Sequence, residues 1–201
     1  MKTRNAVARH LALCTALLAG GLVSTSAQAA VAVGDSAPAF ELLDLNGKKV
    51  ALSDFAGKTV VLEWINPECP VSRGYAEKKI MIATAAAHPE AVWLGINSTH
   101  AKHADFVAPA EHLAYDSKQG IAYPVLYDSS GEVGRAYGAK TTPHMFIIDG
   151  AGKVAYNGAI DSGPGAASTN YVGAALTALA AGKRPDPATT KPMGCSVKYA
   201  D

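Results

Sequence analysis

Three cysteines occur among the 201 residues, and Cys69 stands where a thiol can be made reactive. It follows an apolar run, TVVLEWI at 59–65, by a short loop, and it precedes Pro70, a residue suited to the first position of a helix. A cysteine at a helix start faces unpaired amides and the positive end of the helix dipole, which favour thiolate over thiol. Arg73, one turn on, adds a positive charge, and Glu68 opposes it if its carboxylate points inward. A structural cysteine buried at a strand–helix junction is the plainer alternative. Glu63 interrupts the apolar run with an acid. Buried, it would have a raised pKa and could exchange protons with a nearby thiol near neutral pH; on an exposed strand face it would be an ordinary solvated glutamate. Thr142-Pro143-His144 precedes another apolar run. A cis bond there would set a backbone edge against an incoming extended chain or a thiol, whereas a trans bond would only end a loop.

An attacking thiol needs a resolving partner in the same chain, in another subunit or in solution. Cys195, on a tail rich in proline, could supply it. A permanent Cys69–Cys195 bridge is a second reading, and by closing a loop of more than 100 residues it would add about 4–5 kcal/mol of stability in the chain-entropy model. Two unpaired cysteines are the third. His100, His103 and His112 lie close together, with a spacing between the first two that suits chelation on one helical turn, but no carboxylate or thiol completes a ligand set; a solvated polar segment is the simpler reading. Cys69 with His144 offers a thiolate and an imidazole, donors suited to Cu(I). A redox-inert binding or Cu(I)-handling module is therefore the alternative to thiol chemistry, and neither cofactor nor resident metal is expected.

The elements that would position these groups read clearly. Residues 40–45 and 49–52 alternate around Asn46-Gly47, a hairpin signal. Residues 59–65 read as a buried central strand, 71–87 as one helix ended by His88-Pro89, and 91–96 as the next buried strand. A helix is expected within 105–118, a short strand at 123–127, a helical turn at 132–137, a hairpin from 145–149 and 154–157, and a final helix at 171–181. Residues 183–201 have no periodicity and read as an irregular tail carrying Cys195. Strands alternating with helices before a closing antiparallel hairpin indicate an α/β sandwich with a mixed central sheet. The order fits a thioredoxin-like fold with an added N-terminal hairpin, spanning residues 30–182 as one domain.

The first 29 residues read as an export signal. Lys2, Arg4 and Arg9 precede an apolar stretch at 11–23, and Ala27-Gln28-Ala29 supplies the small-x-small pattern for cleavage after Ala29. A bilayer span needs about 20 apolar residues, more than this stretch offers. Cys14 lies inside the stretch and would be discarded with it. Eighteen basic residues against 17 acidic ones leave +1 overall, and loss of the three basic residues of the signal leaves −2. There is no basic run of the kind that tracks a phosphate backbone, so nucleic-acid binding is disfavoured, and no membrane association is expected after cleavage. The mature chain keeps Cys69 and Cys195 in an exported, periplasm-like oxidising compartment.

Residues 60–72 and 141–149, with the opening 33–40, resemble the redoxin group of the thioredoxin superfamily, the AhpC/TSA peroxiredoxin-like proteins, and a tail at 194–199 looks like one exported branch of it. The resemblance implies an antioxidant-type thiol oxidoreductase. On it, Cys69 is the reactive cysteine, Pro143 the cis-proline that with Thr142 aligns substrate, and Glu63 the buried acid six residues before the first thioredoxin cysteine. The implied partners are a thiol/disulfide electron donor and a small hydroperoxide or disulfide substrate. Two departures stand out: Leu62 and Asn66 replace the proline and the threonine or serine that typical peroxiredoxins carry seven and three residues before the cysteine, and Ser72 ends the Cys69-Pro70-Val71-Ser72 stretch, which excludes a local CxxC disulfide.

Overall fold

The computed structural model describes residues 30–163 and 168–200; the expected signal at 1–29 lies outside the described residues. The run at 59–65 forms β3 (Val60–Trp64), buried along its whole length. Its β-branched and aromatic residues suit a strand covered on both faces. β3 is flanked by β4 (Val92–Asn97), parallel, and β7 (His144–Ile148), antiparallel. Beyond β7 lies β8 (Val154–Gly158), and beyond β4 lies β5 (Val125–Tyr127). The hairpin of β1 (Glu41–Asp44) and β2 (Lys49–Ala51) is joined to the same sheet, because β1 pairs antiparallel with β5. The result is a seven-stranded mixed sheet in the order β2-β1-β5-β4-β3-β7-β8.

Period-two alternation sends successive β3 residues to opposite faces. Leu62 and Trp64 join one apolar cluster with Phe146 and Tyr137 of α4 (Glu132–Tyr137). Val61 faces the other layer, with Met81 of α2 (Ile80–Ala87) and Val172 and Leu176 of α5 (Tyr171–Ala180). Ile65 continues that face toward Val125, half-buried Ala76 of α1 (Pro70–Glu77) and half-buried Tyr115 of α3 (Pro109–Gln119). Glu63 therefore points into the helical layer, and at 4% exposure it is buried.

Two expectations are corrected. The single helix expected at 71–87 is two, α1 and α2, broken at Lys79, which adopts a left-handed φ of 58°. A continuous helix would place Lys79 on the same face as Ser72, Tyr75 and Ala76 and turn Met81 away from the sheet, given about 100° per residue. The break restores the phase: Met81 and Thr84 are buried, and Lys79 is exposed with its ammonium on the Gln119 carbonyl. Helix α3, expected within 105–118, runs Pro109–Gln119, and Phe106 before it is held by a turn. The tail is irregular only in part. It contains β9 (Cys195–Ser196), which pairs antiparallel with β6 (Thr141–Thr142).

Candidate active site around Cys69

Cys69 is the N-cap of α1, with extended backbone (φ −78°, ψ 117°) and Pro70 as the first helical residue. Its amide donates to the Asn66 carbonyl at 3.1 Å, and its carbonyl accepts from the Arg73 amide at 2.9 Å, so the turn entering the helix is fixed on both sides of the thiol. Asn66 shapes that turn: its side-chain oxygen accepts from the Glu68 amide at 2.8 Å and its amide group donates to Thr99 Oγ1 at 2.9 Å. The sulfur itself accepts from the Ser72 amide at 3.5 Å, one of the unpaired donors of the first helical turn.

β6 brings a second edge to the thiol. The Thr142-Pro143 peptide is cis, and in the thiol form Cys69 Sγ donates to the Thr142 carbonyl at 2.9 Å. β9 brings the third component, with Cys195 directly opposite Thr142 in the antiparallel register. Both cysteines are free thiols, Cys69 buried and Cys195 partly exposed. Burial pushes the Cys69 thiol up, but hydrogen bonds from Cys195, from the Ser72 amide and at Thr142 outweigh it and hold the group below its ordinary 9.0. Cys195 moves the opposite way: burial raises it, and so does its role as donor to Cys69. The two sulfurs thus form an asymmetric pair, with Cys69 the better thiolate and Cys195 the proton-bearing neighbour.

Arg73 does not join them. Its side chain lines an open pocket with Glu68, Glu77 and Glu111, on the α3 side of α1, and it is not among the groups that shift Cys69. Four residues along the helix from Cys69, its amide donates to the Cys69 carbonyl.

Glu63 lies under α1. Burial lifts its carboxyl from the usual 4.5 to about 7, and the hydrogen bond from Tyr123 pulls the other way. That bond is 2.6 Å, phenol to carboxylate. Gly95 stands opposite Glu63 on β4, where a Cβ would meet Val125 Cγ2 at 2.8 Å, so the strand passes this point only without a side chain. A cavity of about 10 Å³ adjoins the carboxyl, walled by Tyr75 and Ala76 of α1, Met81 and Ile82 of α2, and Tyr123. It has room for about one water molecule. Glu63 is therefore a buried carboxyl beneath α1, bonded to Tyr123 and not to Cys69.

Tyr123 and Asp116 are buried groups near the site that the sequence does not single out, while Asn66 and Ser72, notable in the sequence only as departures from the family pattern, shape the turn and bond the sulfur. Burial, and next the charge of Glu63, raise Asp116 from 3.8 to about 7, and its oxygen lies 3.5 Å from His112 Nε2. No pattern marks Tyr123, which reads as one aromatic in a short strand, because its partner is 60 residues away.

The histidines do not converge. His112 is buried on α3, while His100 and His103 lie in turns and accept from the Lys102 and Asp105 amides. Both ring nitrogens of His144 are engaged, Nδ1 by the Lys140 amide at 3.1 Å and Nε2 by Asn157 at 2.8 Å. Among the described residues no group of three His, Cys, Asp or Glu is arranged to hold a metal ion.

A family model described as the AhpC/TSA family matches residues 33–157, more than half of the chain. Thiol-disulfide oxidoreductase ResA of Bacillus thuringiensis subsp. konkukian (strain 97-27) is 34% identical over 133 residues, which cover 61% of this chain and 66% of the relative. The match thus spans just under two thirds of that relative's length. Two solved structures superpose with a TM-score of 0.76 each. A hypothetical protein from Sinorhizobium meliloti 1021 is 26% identical, covering 86% of this chain and 97% of its own. An uncharacterized conserved protein from Geobacillus kaustophilus is 28% identical, covering 84% of this chain and 93% of its own. The architecture is a thioredoxin-like sandwich with a mixed central sheet.

Proposed function

The chain belongs to the AhpC/TSA family, and on that premise we propose that it is a thiol–disulfide oxidoreductase in which Cys69 attacks and Cys195 resolves. The observation that carries this reading is the placement of the two thiols: Cys69 caps the start of α1 with its sulfur on the Thr142 carbonyl, and Cys195 stands directly opposite Thr142 on the paired strand. The relative's name, a thiol-disulfide oxidoreductase, points the same way.

In the forward direction the Cys69 thiolate attacks one sulfur of a substrate disulfide in line with the bond that breaks, and the leaving sulfur departs as a thiolate and takes a proton. Cys195 then gives up its proton and attacks the Cys69 sulfur, closing an intramolecular disulfide and releasing the second substrate thiol. Two electrons leave the protein dithiol and reduce one substrate disulfide. An external thiol electron donor restores the starting state by the reverse exchange. Thr142 sets the carbonyl edge beside the reacting sulfur, with Pro143 fixing the turn behind it. Glu63, its pKa near neutrality, holds or accepts the proton that the exchange must move, through the small cavity under α1.

Disulfide exchange is preferred to peroxide reduction because of Asn66. At the place where a peroxidase would present a hydroxyl to the oxidant, Asn66 spends its side chain on the Glu68 amide and Thr99. We also assign the chain to an exported setting, on the strength of the signal pattern at 1–29; among the described residues no helix is long and apolar enough to cross a membrane.

The test is to treat the reduced protein separately with hydrogen peroxide and with a small disulfide, then follow intact mass and peptide maps with time. Fast exchange with the disulfide and slow reaction with peroxide, both lost in Cys69→Ser, are expected. An active Cys69→Ser protein defeats the scheme, and fast peroxide turnover replaces disulfide exchange with peroxidase chemistry.

A further inference from the structure

Residues 194–200 are fitted against the backbone edge that faces Cys69. β9 pairs with β6, Cys195 opposite Thr142 and Ser196 opposite Thr141. The Val197 amide then donates to the Lys140 carbonyl at 3.1 Å, and the Lys198 carbonyl accepts from the His100 amide at 2.8 Å. The Tyr199 hydroxyl donates to the Ala139 carbonyl at 2.8 Å. Glycines make room for this segment. A Cβ on Gly131 would lie 2.6 Å from the Tyr199 ring, and one on Gly134 would lie 2.5 Å from its hydroxyl. The Arg135 guanidinium covers the same ring, 4.8 Å from its centroid. Gly194 passes so close that a Cβ would come within 2.2 Å of the Thr142 carbonyl oxygen and 3.0 Å of the Pro143 nitrogen.

We propose that this C-terminal strand occupies the place of a polypeptide substrate, so that the site exchanges with low-molecular-weight disulfides and turns away disulfides carried on protein chains. The inference rests on the redox reading above and adds its substrate class. A protein disulfide brings an extended chain, and an extended chain docks on a sheet edge by backbone hydrogen bonds. At Thr141 and Thr142 those bonds are already made by the chain's own residues.

A small molecule needs no such edge. Along α1 from Cys69 an open groove of about 490 Å³ is lined by Pro70, Val71 and Tyr75 of α1, by Lys78 and Asp161, and by Met193 of the tail. Val71 and Met193 are 39% and 48% exposed, so the groove offers apolar surface that is open to solvent, with the charged Lys78 and Asp161 also in its wall. Its size falls within the ~300–1,000 Å³ of small-molecule sites. The chemistry is the balanced exchange already given: the disulfide leaves as two thiols, and Cys69 and Cys195 become a disulfide.

The experiment compares oxidation of the reduced full-length chain by oxidised glutathione and by the disulfides of insulin, quenching with acid and quantifying Cys69 and Cys195 by peptide map. Glutathione disulfide should react at least about tenfold faster, since insulin must first displace hydrogen-bonded strand. Gly194→Val, which collides with Thr142, and Tyr199→Ala, which empties the recess, should each raise the ratio of the insulin rate to the glutathione rate by about tenfold; the ratio is the readout because loosening β9 also moves Cys195 and so alters the rate with both oxidants. Thermal melts identify a variant that fails to fold, and the other then carries the comparison. Equal rates with both oxidants in the unaltered chain, or folded variants that leave the ratio unchanged, overturn the inference while leaving the redox reading intact. Inertness to both oxidants overturns the redox reading itself.

Discussion

Replacing Glu63 with glutamine should change how stability depends on pH, by an amount that the burial of this carboxyl sets. In the unfolded chain the group titrates near its usual 4.5, and in the folded chain near 7. Between those values the unfolded chain has released the proton and the folded one still holds it, so stability falls as pH rises. The contribution is fully present below pH 4.5 and lost once pH passes about 7. Its size is about 3 kcal/mol. Glutamine keeps a side-chain oxygen to accept from Tyr123 and has nothing to ionise. The variant should therefore gain about 3 kcal/mol relative to the unaltered protein between pH 4.5 and 8, or about 1.5 M in urea midpoint at a typical slope. Two neighbours titrate in the same range: Asp116, raised from 3.8 to about 7, and His112, lowered by burial from 6.5 to about 4. Both remain in the variant, and the difference between the two curves isolates Glu63. Asp116 adds slightly in the same direction, because the charge of Glu63 is one cause of its shift. The assay is urea unfolding at half-unit pH steps with a common slope. Parallel curves across that range would refute a buried, near-neutral Glu63 and with it the proton-holding role.

Cys69 should be alkylated by iodoacetamide with a midpoint below pH 9, and Cys195→Ala, which removes the largest of the bonds that lower it, should move that midpoint upward; an unmoved midpoint would show that Cys195 does not stabilise the thiolate. Tyr123→Phe deletes a bond that lowers the Glu63 pKa, so the stability loss with rising pH should extend to higher pH, as seen in the same urea series. Gly95→Ala forces a methyl to within 2.8 Å of Val125 Cγ2 at the centre of the sheet. It should cost about 1–3 kcal/mol and lower the melting temperature by several degrees, without a change in Cys69 alkylation if the damage stays in the core.

The sheet was legible because both of its faces are buried: TVVLEWI and AVWLGI have the continuous apolar character that such strands require. Cys69 was legible because its chemistry depends on local features, a strand, a short loop and a proline at a helix start. The burial of Glu63 was a choice between two strand faces, and only the packing of α1 and α2 over Val61 and Ile65 decides it. The break at Lys79 has no local signal, since neither glycine nor proline stands there; it follows from the need to turn Met81 inward. The tail hid its order for a different reason. Its two-residue strand and its tyrosine are held by partners more than 50 residues away, at Thr142 and Ala139, and no periodicity can show a contact of that kind. Arg73 is one turn from Cys69 along the chain, and it lines a pocket on the α3 side of α1 together with Glu68 and Glu77.

The pairing of Cys69 with Cys195 in chemistry is the centre of the account, and it is tested most directly by oxidising the reduced protein with one equivalent of a small disulfide and mapping the product by mass spectrometry before and after alkylation. The expected product has lost two mass units and yields a single Cys69–Cys195 linked peptide, and Cys195→Ala gives a stable mixed disulfide on Cys69. A mixed disulfide confined to Cys195, or two thiols that remain free while substrate is consumed, would contradict it.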